Sequence, residues 1–160
     1  MQASRQIFFV ATGGFDSHDD QAQDQPGLLA NVSACLDAFY RATVEMGIAQ
    51  NVTAFTQSDF GRTLTSNGDG TDHAWGGVQL VVGGAVHGKS VYGSYPVLRL
   101  GATLAADGAD DVGGGRFIPT TSSDQYAATL ARWFGVLDAD LARIAPGIDN
   151  FTQRDLGFMS

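Results

Sequence analysis

The chain has 160 residues, enough for one domain with its own core, and 44% of them are hydrophobic, which excludes a disordered polypeptide. Its net charge of -8 argues against a nucleic-acid partner, whose phosphates would be repelled. A single cysteine, Cys35, excludes an intrachain disulfide, and no apolar run reaches the roughly 18–20 residues that span a bilayer.

Residues 6–12 (QIFFVAT) form a continuous run of apolar residues and β-formers that ends at Gly13-Gly14. The run predicts a strand buried on both faces and is too short for a signal segment. A polar loop follows from Phe15 to Gln25, and Pro26 suits a first helical turn. Leu29, Val32, Leu36, Phe39 and Thr43 or Val44 recur at helical spacing, predicting an amphipathic helix over 28–46 that Gly47 ends. Cys35 reads as a small core residue of that helix. Residues 52–56 (VTAFT) predict a second strand, 62–75 a loop, and 78–82 (VQLVV) a third strand closed by Gly83-Gly84. Strand, helix, strand in that order is the pattern of a right-handed parallel βαβ unit.

Residues 86–100 read as a surface excursion and 113–119 as a turn-rich connection. Ser122 and Gln125 fit a capping box opening a helix through Phe134, with Tyr126, Leu130, Trp133 and Phe134 as its apolar face and Gly135 as its stop. Residues 138–145 form a last short helix before Pro146. The expected fold is therefore an α/β parallel-sheet layer structure, one domain over 1–160. Three parallel strands leave two open edges, so further chain or a second subunit of a homo-oligomer is expected to cover them.

In open α/β sheets, ligands bind beyond the carboxyl ends of strands. Gly14-Phe15-Asp16-Ser17-His18-Asp19-Asp20 follows the first strand, and Ser58-Asp59-Phe60-Gly61-Arg62 follows the second. Asp72-His73-Ala74-Trp75-Gly76 precedes the third. Asp16, His18, Asp59 and His73 are the candidate metal ligands, because a carboxylate with two imidazoles gives a His₂Asp site with an open position. Zinc suits that set, with calcium, magnesium and manganese as alternatives. Arg62 is the candidate for holding an anionic oxygen.

Each of these residues also has a plain reading as a turn former or cap. Asp19, Asp20 and Asp24 read as solvated loop and helix-start charges. His87 reads as a surface residue and Trp75 as a packing residue. The stretch Asn67-Gly68-Asp69-Gly70-Thr71-Asp72 suggests a calcium loop, but with Gly70 as its sixth position the twelfth is Gly76 where an EF-hand needs Glu. No Gly-x-Ser-x-Gly elbow, Walker loop or Cys-x-x-Cys occurs.

Together, Gly13-Gly14-Phe15-Asp16-Ser17-His18, Ser58-Asp59-Phe60-Gly61-Arg62-Thr63 and Asp72-His73-Ala74-Trp75-Gly76-Gly77 resemble the domain-of-unknown-function 1501 family. The resemblance runs on through Gly83-Gly84-Ala85-Val86-His87-Gly88, Ile118-Pro119-Thr120-Thr121, Arg132-Trp133-Phe134-Gly135 and Leu156-Gly157-Phe158-Met159. It covers the carboxyl-terminal part of the longer members. That family is similar to the alkaline phosphatase and sulfatase superfamily, with its parallel sheet and bimetallic centre. The resemblance implies a periplasmic or extracytoplasmic hydrolase of phosphate or sulfate esters, with a small anionic ester as substrate. It implies that Asp16, His18 and His73 share one metal, with Asp20 as an alternative to the closely spaced Asp16. Asp59 stands where the superfamily often has Asp-His-Gly, with Phe60 in place of the histidine of a second metal. The nucleophile is expected in a preceding part. A binding or structural module with an eroded site is the alternative.

Overall fold

The structure, a computed structural model, describes residues 5–100 and 110–160. Helix α1 (Gln21–Glu45) is followed by strands β1 (Thr53–Phe55), β2 (Gly61–Ser66), β3 (Thr71–Ala74) and β4 (Val81–Gly83). Helices α2 (Ser123–Phe134) and α3 (Leu141–Ile144) complete the order. β1 pairs antiparallel with β4, Thr53 opposite Gly83 and Phe55 opposite Val81. β2 and β3 form a second antiparallel pair.

This corrects the expected fold. The protein has a long helix and two small antiparallel sheets, not a parallel-sheet layer structure of alkaline-phosphatase-like type. The segment 62–75, rich in Gly, Asn, Asp and Thr, is a hairpin rather than a loop. That hairpin returns the chain to the end of β1 from which it left, so β4 runs back along β1 with no crossover. Thr56 extends the pairing: its amide donates to the Leu80 carbonyl at 2.9 Å, and its hydroxyl accepts from the Leu80 amide at 2.8 Å.

The apolar run 6–12 is no strand. Ile7, Phe8, Phe9 and Val10 are 79–92% exposed. Hydrophobicity states what a residue gains by burial, not whether a partner strand is present. Helix α1 begins at Gln21 rather than Leu28, which puts Pro26 inside the helix. Its start is tied to the hairpin turn: the Gln21 amide donates to the Asp69 carbonyl at 3.1 Å, and Thr71 Oγ1 donates to Gln21 Oε1 at 2.7 Å. Thr43 is the buried residue of α1; Leu29, Phe39 and Val44 are about half exposed, and Cys35 is exposed rather than buried. Trp75 is likewise exposed.

The core lies at the other end of the chain. Ala128, Ala131, Leu141, Ala145 and Ile148 are buried together where α3 and the turn after it meet α2. The alanines let the helices approach closely, so of the expected apolar face only Leu130 is buried, and Tyr126, Trp133 and Phe134 are partly exposed. The capping box at Ser122 is present, with the Ser122 amide donating to Gln125 Oε1 at 3.0 Å and Ser122 Oγ accepting from the Asp124 amide at 3.1 Å. Gly135 ends α2 in the left-handed region at φ 98°, where a side chain would be strained. Tyr126 joins α2 to the first sheet through its hydroxyl, which donates to the Thr56 carbonyl at 3.1 Å. Burial pushes its phenol above the usual tyrosine range. Among the described residues no helix is long and apolar enough to cross a membrane.

Candidate metal centre

Two segments build the site. Asp16 and His18 lie in the loop that precedes α1, and His73 lies on β3. In the β2–β3 register, Arg62 stands directly opposite His73, so both side chains rise from the same face of the hairpin. Phe60, just before β2, stacks its ring on the His73 ring at 3.9 Å and 14°, with the Arg62 guanidinium 5.7 Å from the centre of the Phe60 ring.

The donor atoms converge. His73 Nε2 lies 2.8 Å from Asp16 Oδ1, His18 Nε2 lies 3.0 Å from the same oxygen, and the two imidazole Nε2 atoms are 3.2 Å apart. Four donors at about 2.0–2.1 Å from a tetrahedral ion stand about 3.3 Å from one another. The three separations thus come within about half an ångström of those on one face of such a tetrahedron. The side chains of Asp16, His18 and His73 are 56%, 44% and 49% exposed, so the fourth corner faces solvent. Among the described residues these three form the group able to hold a metal ion.

The surrounding contacts orient the donors. His18 Nδ1 is 3.2 Å from Asp72 Oδ1; a carboxylate only accepts, so Nδ1 carries the proton and Nε2 is left as a donor of electrons. Asn67 Nδ2 donates to the same Asp72 oxygen at 3.1 Å. Arg62 fixes the other side. Its Nη1 donates to Asp16 Oδ1 at 3.0 Å, its Nε to Thr71 Oγ1 at 3.0 Å, and its Nη2 to the Ser17 carbonyl at 2.9 Å and to the Thr71 carbonyl. The hydrogen bond from His73, with help from Arg62, holds the Asp16 carboxyl below the usual aspartate range, against some desolvation.

The hairpin turn must come very close to this loop. A Cβ on Gly70 would sit 2.2 Å from the His18 carbonyl carbon and oxygen, so only glycine fits. Asp59 lies outside the convergent group, exposed in the bend before β2. Asp20 is exposed at the start of α1 in a left-handed conformation. His87 is exposed, with Nδ1 3.2 Å from the Gly157 carbonyl. The meeting place is the contact of a loop with a hairpin, not the edge of a parallel sheet. Sequence reasoning gave no lasting role to Asn67 and Asp72, which sat in a stretch that suggests a calcium loop and fails the EF-hand spacing.

The site is thus a three-donor His₂Asp constellation, open on one side and braced by an arginine and a second carboxylate. Residues 1–144 match the family described as protein of unknown function (DUF1501), and the chain belongs to that family. No curated protein and no solved structure matches the chain.

Proposed function

We propose that this chain forms the metal-holding part of a hydrolase acting on phosphate or sulfate esters. The reading is carried by the convergence of Asp16 Oδ1, His18 Nε2 and His73 Nε2 within 2.8–3.2 Å, with one side open. Structural zinc sites fill all four positions with protein, whereas hydrolytic ones keep one for water or substrate. A divalent ion there would act as a Lewis acid on an ester oxygen. Zinc suits the two nitrogen donors better than calcium or magnesium, which favour oxygen cages; manganese lies between. The chain's own residues orient the donors: Arg62 holds Asp16, Asp72 holds His18, and Phe60 covers one face of His73. The family's similarity to the alkaline phosphatase and sulfatase superfamily supports the substrate class, and the resemblance to the family supports a periplasmic or other extracytoplasmic location.

One observation favours a second reading, a non-catalytic metal-binding module. The Arg62 guanidinium already spends four N–H groups on protein acceptors, leaving one for a substrate oxygen. Metal analysis of the purified chain, followed by phosphate- and sulfate-ester assays with and without chelator, separates the two. One zinc per chain with chelator-sensitive turnover supports the hydrolase. Zinc without turnover, in an assay of protein that also carries the expected nucleophile, supports the module, and failure to retain any divalent metal overturns both.

A further inference from the structure

We infer that the anionic group of the ligand is received by Arg116, across a cavity shared with His73, and not by Arg62. This rests on the metal-dependent reading above and names the residue that reads a phosphate or sulfate group. The cavity measures about 200 Å³ and is lined by Thr63, Thr65, Ser66, Asp72, His73 and Arg116, so it adjoins one of the three metal donors, His73, and the carboxylate that orients His18. Pockets for drug-sized ligands start at about 300 Å³. This one suits a small anionic head, with the rest of the ester outside.

The two arginines differ in what they have left to give. Arg62 is mostly buried, and four of its N–H groups are engaged. Arg116 is exposed, and among the described residues its guanidinium makes one hydrogen bond, from Nε to the Gly113 carbonyl at 3.0 Å. Both terminal amino groups remain for a forked contact with two oxygens of one anion. The position is anchored nonetheless. The Val112 amide donates to the Arg116 carbonyl at 2.9 Å, and the Leu64 amide of β2 donates to the neighbouring Gly115 carbonyl at 2.9 Å. Arg116 therefore stands on a turn fastened to the same hairpin that carries His73.

Charge makes the anion depend on the metal. Arg62 and Arg116 are balanced by Asp16 and Asp72, so the metal-free site offers an anion little net attraction. A bound divalent ion adds two positive charges beside His73, and the field then favours a phosphate between ion and arginine.

Calorimetry with inorganic phosphate and sulfate tests this, using the full chain with zinc at no more than one equivalent. The zinc-loaded parent should bind phosphate, and the metal-free parent far more weakly. R116A should weaken binding roughly ten- to a hundredfold, the usual worth of a charge-assisted contact, with its zinc affinity unchanged. R116K, which keeps the charge and loses the fork, should fall between. R116A binding phosphate as tightly as the parent would overturn the inference, as would a zinc-loaded parent that binds no phosphate. If the chain takes up no zinc, the metal reading fails by itself. The metal-free parent and R116A then decide: phosphate binding that the substitution abolishes supports Arg116, and equal or absent binding overturns it.

Discussion

His18 and Asp72 are 54 residues apart in the chain, yet His18 Nδ1 and Asp72 Oδ1 lie 3.2 Å apart, and this contact turns His18 Nε2 toward Asp16 and His73. Outer partners of metal-bound histidines typically contribute 10–100-fold to metal affinity. D72A should therefore weaken zinc binding by roughly that factor, and D72N, which keeps an acceptor oxygen, by less. Competition against a chromophoric chelator reads the difference. Equal affinity in D72A and the parent would mean that Asp72 is a surface carboxylate with no bearing on the site.

Gly70 sets the distance between the hairpin and the metal loop. G70A would place a methyl carbon 2.2 Å from the His18 backbone carbonyl, and backbone cannot yield as a flexible side chain can. The variant should lose stability by roughly 1–3 kcal/mol and lose zinc affinity with it. Gly27 supplies the control. It lies in α1 with nothing within 4 Å of its added Cβ, so G27A should instead stabilise the helix by about 0.5–1 kcal/mol. Urea unfolding of both variants measures this, and a G70A curve that overlays the parent would refute the close approach.

What could be read in advance divides along physical lines. The capping box at Ser122 and the stop at Gly135 are local chemistry, and both appear as expected. Asp16, His18 and His73 stood out because few residue types serve as metal donors, and they do converge. Strand pairing is not local. The run 6–12 carries the composition of a buried strand, but composition does not specify a partner, and the side chains of Ile7 to Val10 stand exposed. The β2–β3 hairpin was missed for the opposite reason: its residues are polar because it lies at the surface, so they read as loop. Arg116 gave no signal at all, being one arginine after three glycines.

Asp16 also imposes a pH dependence on the metal-free protein. Its carboxyl is held below the ordinary aspartate range by the His73 hydrogen bond first and the Arg62 hydrogen bond after that. A depressed carboxylate stabilises the fold fully above its unfolded value and loses that contribution as pH falls through the folded one. The loss therefore belongs below about pH 4. D16N removes the titrating group, so the gap between parent and variant should be constant at milder pH and narrow in stronger acid. Thermal melts of both, run without metal, follow this gap. A gap that stays constant into strong acid would show that Asp16 is not coupled to its neighbours in solution.

Zinc should stabilise the chain, and His73 is the residue on which to prove it. An ion that binds the folded chain and not the unfolded one adds about 2.7 kcal/mol when its free concentration is 100 times Kd. That shift should be visible in thermal melts and reversed by chelator. Without metal, H73A should cost little. The side chain is half exposed, and H73A loses the stack on Phe60, worth about 0.5–1.5 kcal/mol, together with a solvent-exposed hydrogen bond to Asp16. With zinc the two proteins should diverge, because two donors at the surface hold an ion far less tightly than three. The informative quantity is thus the zinc-dependent part of the melting shift, which H73A should largely abolish while its metal-free melt stays near the parent's. H73F serves as a second variant, since it keeps an aromatic ring against Phe60 and removes only the nitrogen donors. If H73F shows the same zinc-dependent shift as the parent, the ion is bound somewhere other than between Asp16, His18 and His73.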